Sequence, residues 1–155
     1  MEIERKFTIR ELPDDLDSYP CHLIEQAYLN TDPVIRVRKE DDVYYLTYKG
    51  SGMLAREEYN LPLNQDAYRH LLDKADGRII TKKRYVIPLK RFRPNDQKGL
   101  SVELDIFEGE LAPLIIAEIE FPSKEAAETF VPPEIFSEDV TFDPRYHNSN
   151  LSKKP

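Results

Sequence analysis

The sequence predicts an α+β fold that is mainly antiparallel β: about eight strands closed, or nearly closed, into a barrel, with a few helices packed outside. Three observations predict it. Eight short segments rich in Val, Ile, Tyr and Phe are each bounded by Pro, Asn, Asp or Gly, the pattern of strands between turns. Only two or three segments carry helical spacing. A sheet of so many strands also needs protection for its edges, and closure removes them.

Taken in order, the strands are residues 2–9, 22–30, 34–39, 43–49, 56–63, 78–89, 100–107 and 114–121. Asp41-Asp42 and Gly50-Ser51-Gly52 read as hairpin turns. Asn64 caps a first helix, with Ala67, Tyr68, Leu71, Leu72 and Ala75 on one side and Gly77 closing it. Ser123 caps a second over residues 124–130, with Ala126, Ala127 and Phe130 apolar and Pro132-Pro133 as its stop. A short turn is expected through 134–136. From Asp143 the tail is polar and reads as irregular or as a short closing helix.

The 155 residues predict one domain over 1–155, long enough to bury a core. With 40% hydrophobic and 10% aromatic residues, disorder is excluded. No apolar run approaches the ~20 residues that span a bilayer. The start, Met1-Glu2-Ile3-Glu4-Arg5-Lys6, has no signal-peptide core, and the lone Cys21 excludes an internal disulfide framework. A cytoplasmic protein is expected. The 22 Lys and Arg against 29 Asp and Glu give a net charge of −7, which argues against binding nucleic acid or a membrane. Five glycines are too few for a Gly-rich phosphate loop.

The informative feature lies within the strands. Glu2, Glu4 and Lys6 alternate with Ile3, Arg5 and Phe7. Arg36 and Arg38, Thr47 and Lys49, Lys82 and Arg84, Glu103 and Asp105, and Glu118 and Glu120 are likewise i, i+2 pairs, and Glu58 alternates with Tyr59. Residues i and i+2 share one face of a strand, so each strand has a charged face and a mainly apolar one. For a single strand this means a sheet with one face in water. Here whole pairs carry one sign, which repels and calls for a compensating partner. Arg prevails among the cations and suits phosphate or carboxylate. The acids are the hard oxygen ligands preferred by Mg²⁺, Mn²⁺ or Ca²⁺.

Closed with these faces inward, the strands would set Lys6, Arg36, Arg38, Lys49, Lys82 and Arg84 opposite Glu2, Glu4, Glu58, Glu103, Asp105, Glu118 and Glu120. Burying them without partners would be prohibitive. A hydrated lumen taking a linear triphosphate and divalent cations resolves the difficulty.

In that order along the chain, these residues resemble the CYTH superfamily, the triphosphate tunnel metalloenzymes. Glu2-Ile3-Glu4-Arg5-Lys6 is similar to its N-terminal Glu-x-Glu-x-Lys signature. Arg36-x-Arg38, Lys49, Arg56-Glu57-Glu58-Tyr59, Lys82-x-Arg84, Glu103-Leu104-Asp105, Glu118-Ile119-Glu120 and the segment from Asp143 to Asn148 follow. The resemblance covers nearly the whole chain and implies an eight-stranded tunnel. It also implies a short bacterial member that hydrolyses inorganic triphosphate with Mg²⁺ or Mn²⁺. The cations Lys6, Arg36, Arg38, Lys49, Lys82 and Arg84 would grip phosphate; Glu2, Glu4, Glu58, Glu103, Asp105, Glu118 and Glu120 would hold metal.

Tyr28 matches the family's second-strand tyrosine. It is either a proton acceptor polarised by a lysine such as Lys6 or a packing residue. Arg145 and Tyr146 either line a tunnel mouth or form a surface turn. Arg56 joins the tunnel set by parity with Glu58. One departure stands out: where many relatives carry a second acid after the one matching Glu58, this chain has Asn60. Nucleoside or thiamine triphosphatase, class IV-type adenylyl cyclase and a non-catalytic polyphosphate-binding module remain alternatives. A homodimer is compatible with the sequence.

Overall fold

The computed structural model describes residues 1–153. Its strands are β1 (Glu2–Ile9), β2 (Cys21–Thr31), β3 (Val34–Glu40), β4 (Val43–Lys49), β5 (Ala55–Arg56), β6 (Glu58–Leu63), β7 (Asp76–Pro88), β8 (Ser101–Phe107), β9 (Ile115–Glu120) and β10 (Phe136–Asp139). Its helices are α1 (Gln65–Leu72), α2 (Lys124–Thr129) and α3 (Asn148–Leu151). The strands pair antiparallel in the order β10-β1-β9-β8-β7-β2-β3-β4-β6.

The sheet curls into a nearly closed tunnel. β9 takes one edge of β1; the other is divided between β5 at Glu2–Ile3 and β10 at Phe7–Ile9. The expected strand over 56–63 is therefore two. Arg56 pairs with Glu2 on β1, Glu58 pairs with Lys49 on β4, and the partner changes at Glu57. This short crossing bridges the seam between the first and last strands of the wall. β10 replaces part of the turn expected at 134–136; four residues behind Pro132-Pro133 are too few for an alternating signal.

The caps form where expected. The Asn64 side chain accepts from the Ala67 N–H, and Ser123 from the Ala126 N–H. α1 ends at Asp73 rather than at Gly77. Gly77 is instead the second residue of β7, at φ 71°, where an added Cβ would lie 2.2 Å from the Ser152 carbonyl oxygen. Its lack of a side chain lets the C-terminal segment lie against the barrel.

The main core lies outside the tunnel wall. Ile3, Phe7, Ile87, Val102, Leu104 and Ile119 pack with Ala127 of α2 and Phe136 of β10. Each such side chain contributes roughly 1.5–3 kcal/mol on burial. A second cluster is on the lumen face: Tyr28, Val34, Ile80, Phe107 and Ile116, closed over by Tyr146 and Leu151. It forms an apolar floor at one end of the lumen, with the C-terminal segment seated on it.

Candidate active site

Strand parity turns the charged faces inward. Glu4, Lys6, Arg36, Arg38, Lys49, Lys82, Arg84, Asp105 and Glu118 are all buried. Glu2, Glu58 and Glu103 are half-buried, and Glu120 is exposed at the rim. Register then decides who meets whom. Glu4 lies opposite Glu120 and Lys6 opposite Glu118 on β1/β9; Glu103 lies opposite Glu118 on β8/β9. Tyr28 faces Arg36, Gln26 faces Arg38, and Arg36 faces Thr47 across β2, β3 and β4.

On the β1, β7, β8 and β9 side, cations are held by carboxylates. Lys6 Nζ lies 2.8 Å from Glu118 and 3.5 Å from Glu4. Asp105 accepts from Lys82 Nζ at 2.7 Å and from Arg84 Nε and Nη2 at 2.7 and 2.9 Å. Arg84 Nη1 reaches Glu103 at 3.1 Å. Asp105, expected to hold metal, is thus a counter-ion shared by two cations. At the seam, Lys49 bonds Glu2 at 2.9 Å and lies 3.3 Å from Glu58, with Arg56 3.8 Å from Glu2.

On the opposite side, the hydrogen-bond partners are neutral. Arg36 Nη2 donates to Thr47 Oγ1 at 3.1 Å, and Thr47 donates to Asn60 Oδ1 at 2.6 Å. Arg38 Nε donates to Gln26 Oε1 at 2.8 Å and lies 3.7 Å from Glu40. Arg36 makes no ion pair among the described residues, and its Nε has no hydrogen-bond partner.

The carboxylates divide in the same way. Burial pushes Glu118 up, but Lys6, Arg84 and Lys82 outweigh it and hold it well below the usual range. Burial raises Glu4, and Glu118 adds to the effect. Burial also raises Glu103 and Glu120, in the latter reinforced by Glu2, Glu58 and Glu4. Burial, with Arg84 and Arg38 nearby, lowers Lys82 to about 7 against the pull of Asp105.

A divalent cation fits this donor set. Glu4 opposite Glu120 is a like-charge cross-strand pair, unfavourable without a further cation, whereas Glu103 and Glu118 share Arg84. Glu120 has no ion-pair partner among the described residues. No three acidic or His/Cys side chains converge at coordinating distance among those residues. Mg²⁺ keeps much of its water shell and needs few direct carboxylates.

The expected Lys6 partner for Tyr28 is not found: Lys6 is bound to Glu118 and Glu4, and the Tyr28 hydroxyl lies beside Arg36. Arg145 is on the surface with Asp143, whereas Tyr146 closes the apolar floor. Sequence reasoning missed Gln26, Asn148 and Ser149. The last two reach the lumen from the C-terminal segment. Parity with Tyr28 places Gln26 inside; attention to charge alone passed over it.

Such a fold and site define a charged-lumen β-tunnel, a class built around a polyanion. A profile of the CYTH domain matches residues 1–153, and the chain belongs to that family. It is 38% identical to an inorganic triphosphatase of Nitrosomonas europaea, over 97% of this chain and 96% of that one. It is 36% identical to an inorganic triphosphatase of Acetivibrio thermocellus, over 99% of this chain and 94% of that one. The crystal structure of the inorganic triphosphatase NE1496 superposes with a TM-score of 0.70 at 34% identity, covering 100% of this chain and 96% of that one. No helix among the described residues is long and apolar enough to cross a membrane.

Proposed function

We propose that the protein is a metal-dependent inorganic triphosphatase that hydrolyses tripolyphosphate to pyrophosphate and phosphate. The observation that carries this reading is the division of the lumen: arginines held by neutral groups on one side, carboxylates short of cations on the other. The free space between them is a narrow slot of about 50 Å³ with an apolar floor. The named relatives support the same activity.

Arg36 and Arg38 bind phosphate oxygens first, since no strong ion pair must break. Lys49, Lys6, Lys82 and Arg84 then exchange carboxylate partners for phosphate oxygens and neutralise charge developing at the reacting phosphorus. Glu2, Glu4, Glu103, Glu118 and Glu120 are the residues that would hold Mg²⁺ or Mn²⁺, with Glu58 at the seam and Asp105 as counter-ion. Bound there, the metal would screen the phosphate chain and lower the pKa of a coordinated water. Tyr28 keeps the role of proton acceptor, with Arg36 beside it as the cation. Tyr28→Phe should change the pH–rate profile; an unchanged profile makes it a packing residue.

Phosphate release from tripolyphosphate, ATP and thiamine triphosphate, each with Mg²⁺, Mn²⁺ or EDTA, tests the reading. Tripolyphosphate should be cleaved fastest, and EDTA should abolish release. Cyclic AMP and pyrophosphate from ATP would make the protein a cyclase. Tight tripolyphosphate binding without release would make it a binding module.

A further inference from the structure

We propose that Gln26 is a direct ligand of the phosphate chain, donating from its carboxamide Nε2 beside Arg38; the proposal rests on the triphosphate reading above. Gln26 is on β2, lumen-facing by parity with Tyr28, between Arg38 of β3 and Ile80 of β7. It is fully buried, with 0% of its surface exposed. Its Oε1 accepts from Arg38 Nε at 2.8 Å. Because a guanidinium only donates, this bond fixes the amide: the oxygen faces Arg38 and the NH₂ faces away.

That NH₂ meets no acceptor among the described residues. Its cross-strand neighbours offer none, since Ile80 is hydrocarbon and the Arg38 guanidinium can only donate. One register step away, Arg36 Nε is also without a partner. Two neighbouring residue pairs of β2 and β3 therefore present buried donors without a hydrogen-bond partner among the described residues. Buried polar groups are normally satisfied, and donors left open in a cationic lumen are met by an incoming anion.

The opposite side of the tunnel shows why an amide stands here. There a carboxylate, Asp105, holds Arg84 through both of its oxygens. A glutamate at 26 would hold Arg38 more tightly, but its second oxygen would repel phosphate. Glutamine orients Arg38 through one end and leaves two N–H groups for the ligand.

The test compares wild type with Gln26→Glu and Gln26→Met. It reads tripolyphosphate binding in EDTA by calorimetry, steady-state hydrolysis with Mg²⁺, and the melting temperature without ligand. Gln26→Glu keeps the acceptor for Arg38 and replaces the donor. It should weaken binding and raise KM about tenfold or more, the worth of a hydrogen bond to a charged group plus new repulsion, with melting unchanged or raised. Gln26→Met, which removes the donor and the acceptor for Arg38 Nε without adding charge, should weaken binding about three- to tenfold and serves if the first variant does not fold. Affinity and KM within twofold of wild type in a folded variant would overturn the proposal. If wild type binds tripolyphosphate without cleaving it, the hydrolytic reading falls while the binding comparison still decides Gln26; a wild type that does not bind it overturns both.

Discussion

The two sides of the tunnel hold the same kinds of cation but treat them differently. On β1, β7, β8 and β9, Lys6, Lys82 and Arg84 are fastened by Glu118, Asp105 and Glu103 at 2.7–3.1 Å. On β2, β3, β4 and β6, Arg36 and Arg38 are oriented chiefly by the oxygens of Thr47 and Gln26. A buried cation with a carboxylate partner must give up that partner before it can meet a ligand, and losing the partner is costly. One oriented by neutral acceptors keeps its charge open for a ligand. On the proposed reading, the fastened side is scaffold and metal side together, and the open side is where phosphate is met first. Lys49, paired with Glu2 and Glu58 across the seam, stands between the two.

The largest effect should come from Arg36→Ala. It removes an open cation and breaks no ion pair, so kcat/KM for tripolyphosphate should fall about a hundred- to a thousandfold, as when a transition-state donor is lost. The melting temperature should stay close to wild type. Steady-state kinetics beside a thermal melt reads both. A large loss of stability would mean that Arg36 is scaffold and the contrast is misdrawn.

Arg84→Met should do the opposite in stability. It leaves Asp105 with Lys82 alone and Glu103 without its cation. Breaking a buried pair by removing one partner costs about 3–5 kcal/mol, measurable by urea denaturation. A variant as stable as wild type would show that the fastened side is not held by these pairs.

Much of this division was written in the chain, and part was not. Alternation is local, so same-face charge pairs and the strands that carry them follow from period two alone; that Arg36, Lys82 and Glu118 turn inward rests on the one-sign pairs, on closure and on the family resemblance. Pairing is not local. That Asp105 is taken by Lys82 and Arg84, or that Tyr28 meets Arg36 rather than Lys6, depends on the register between paired strands, which alternation within one strand does not set. The split at Glu57 and the four-residue β10 are set by what β1 leaves unpaired. Gln26 and Thr47 carry no charge, and only the closed structure shows them orienting the open arginines.

A smaller effect separates stability from function at Glu120. Burial and its acidic neighbours raise its pKa, so in the folded state its ionised form is disfavoured. A carboxyl with a raised folded pKa favours folding below its unfolded pKa, and that contribution is lost as pH rises through the folded value. Glu120→Gln in EDTA should therefore melt about one to two degrees higher at pH 7, with the gain vanishing as pH falls below the ordinary carboxylate range. With metal present, the same variant should need at least about tenfold more Mg²⁺ or Mn²⁺ for half-maximal turnover. Unchanged metal dependence in both Glu120→Gln and Glu4→Gln would remove these acids from the metal side.

The finest test is Asn60→Asp, which gives this chain the acid it lacks after Glu58. Asn60 Oδ1 accepts from Thr47, which accepts from Arg36, so the new charge would sit two hydrogen bonds from the open guanidinium. The Thr47 bond survives, because a carboxylate accepts as well as an amide oxygen. The bond from Asn60 Nδ2 to Glu58 at 3.4 Å is lost and becomes a repulsion. At that remove, partly screened by the rim, the added charge should offset little of the Arg36 field, and KM for tripolyphosphate should rise only about two- to threefold with kcat nearly unchanged. A loss as large as that of Arg36→Ala would mean that a single acid converts the open side into a fastened one, making Asn60 the residue that keeps Arg36 available. A fall in KM would instead place position 60 on the metal side.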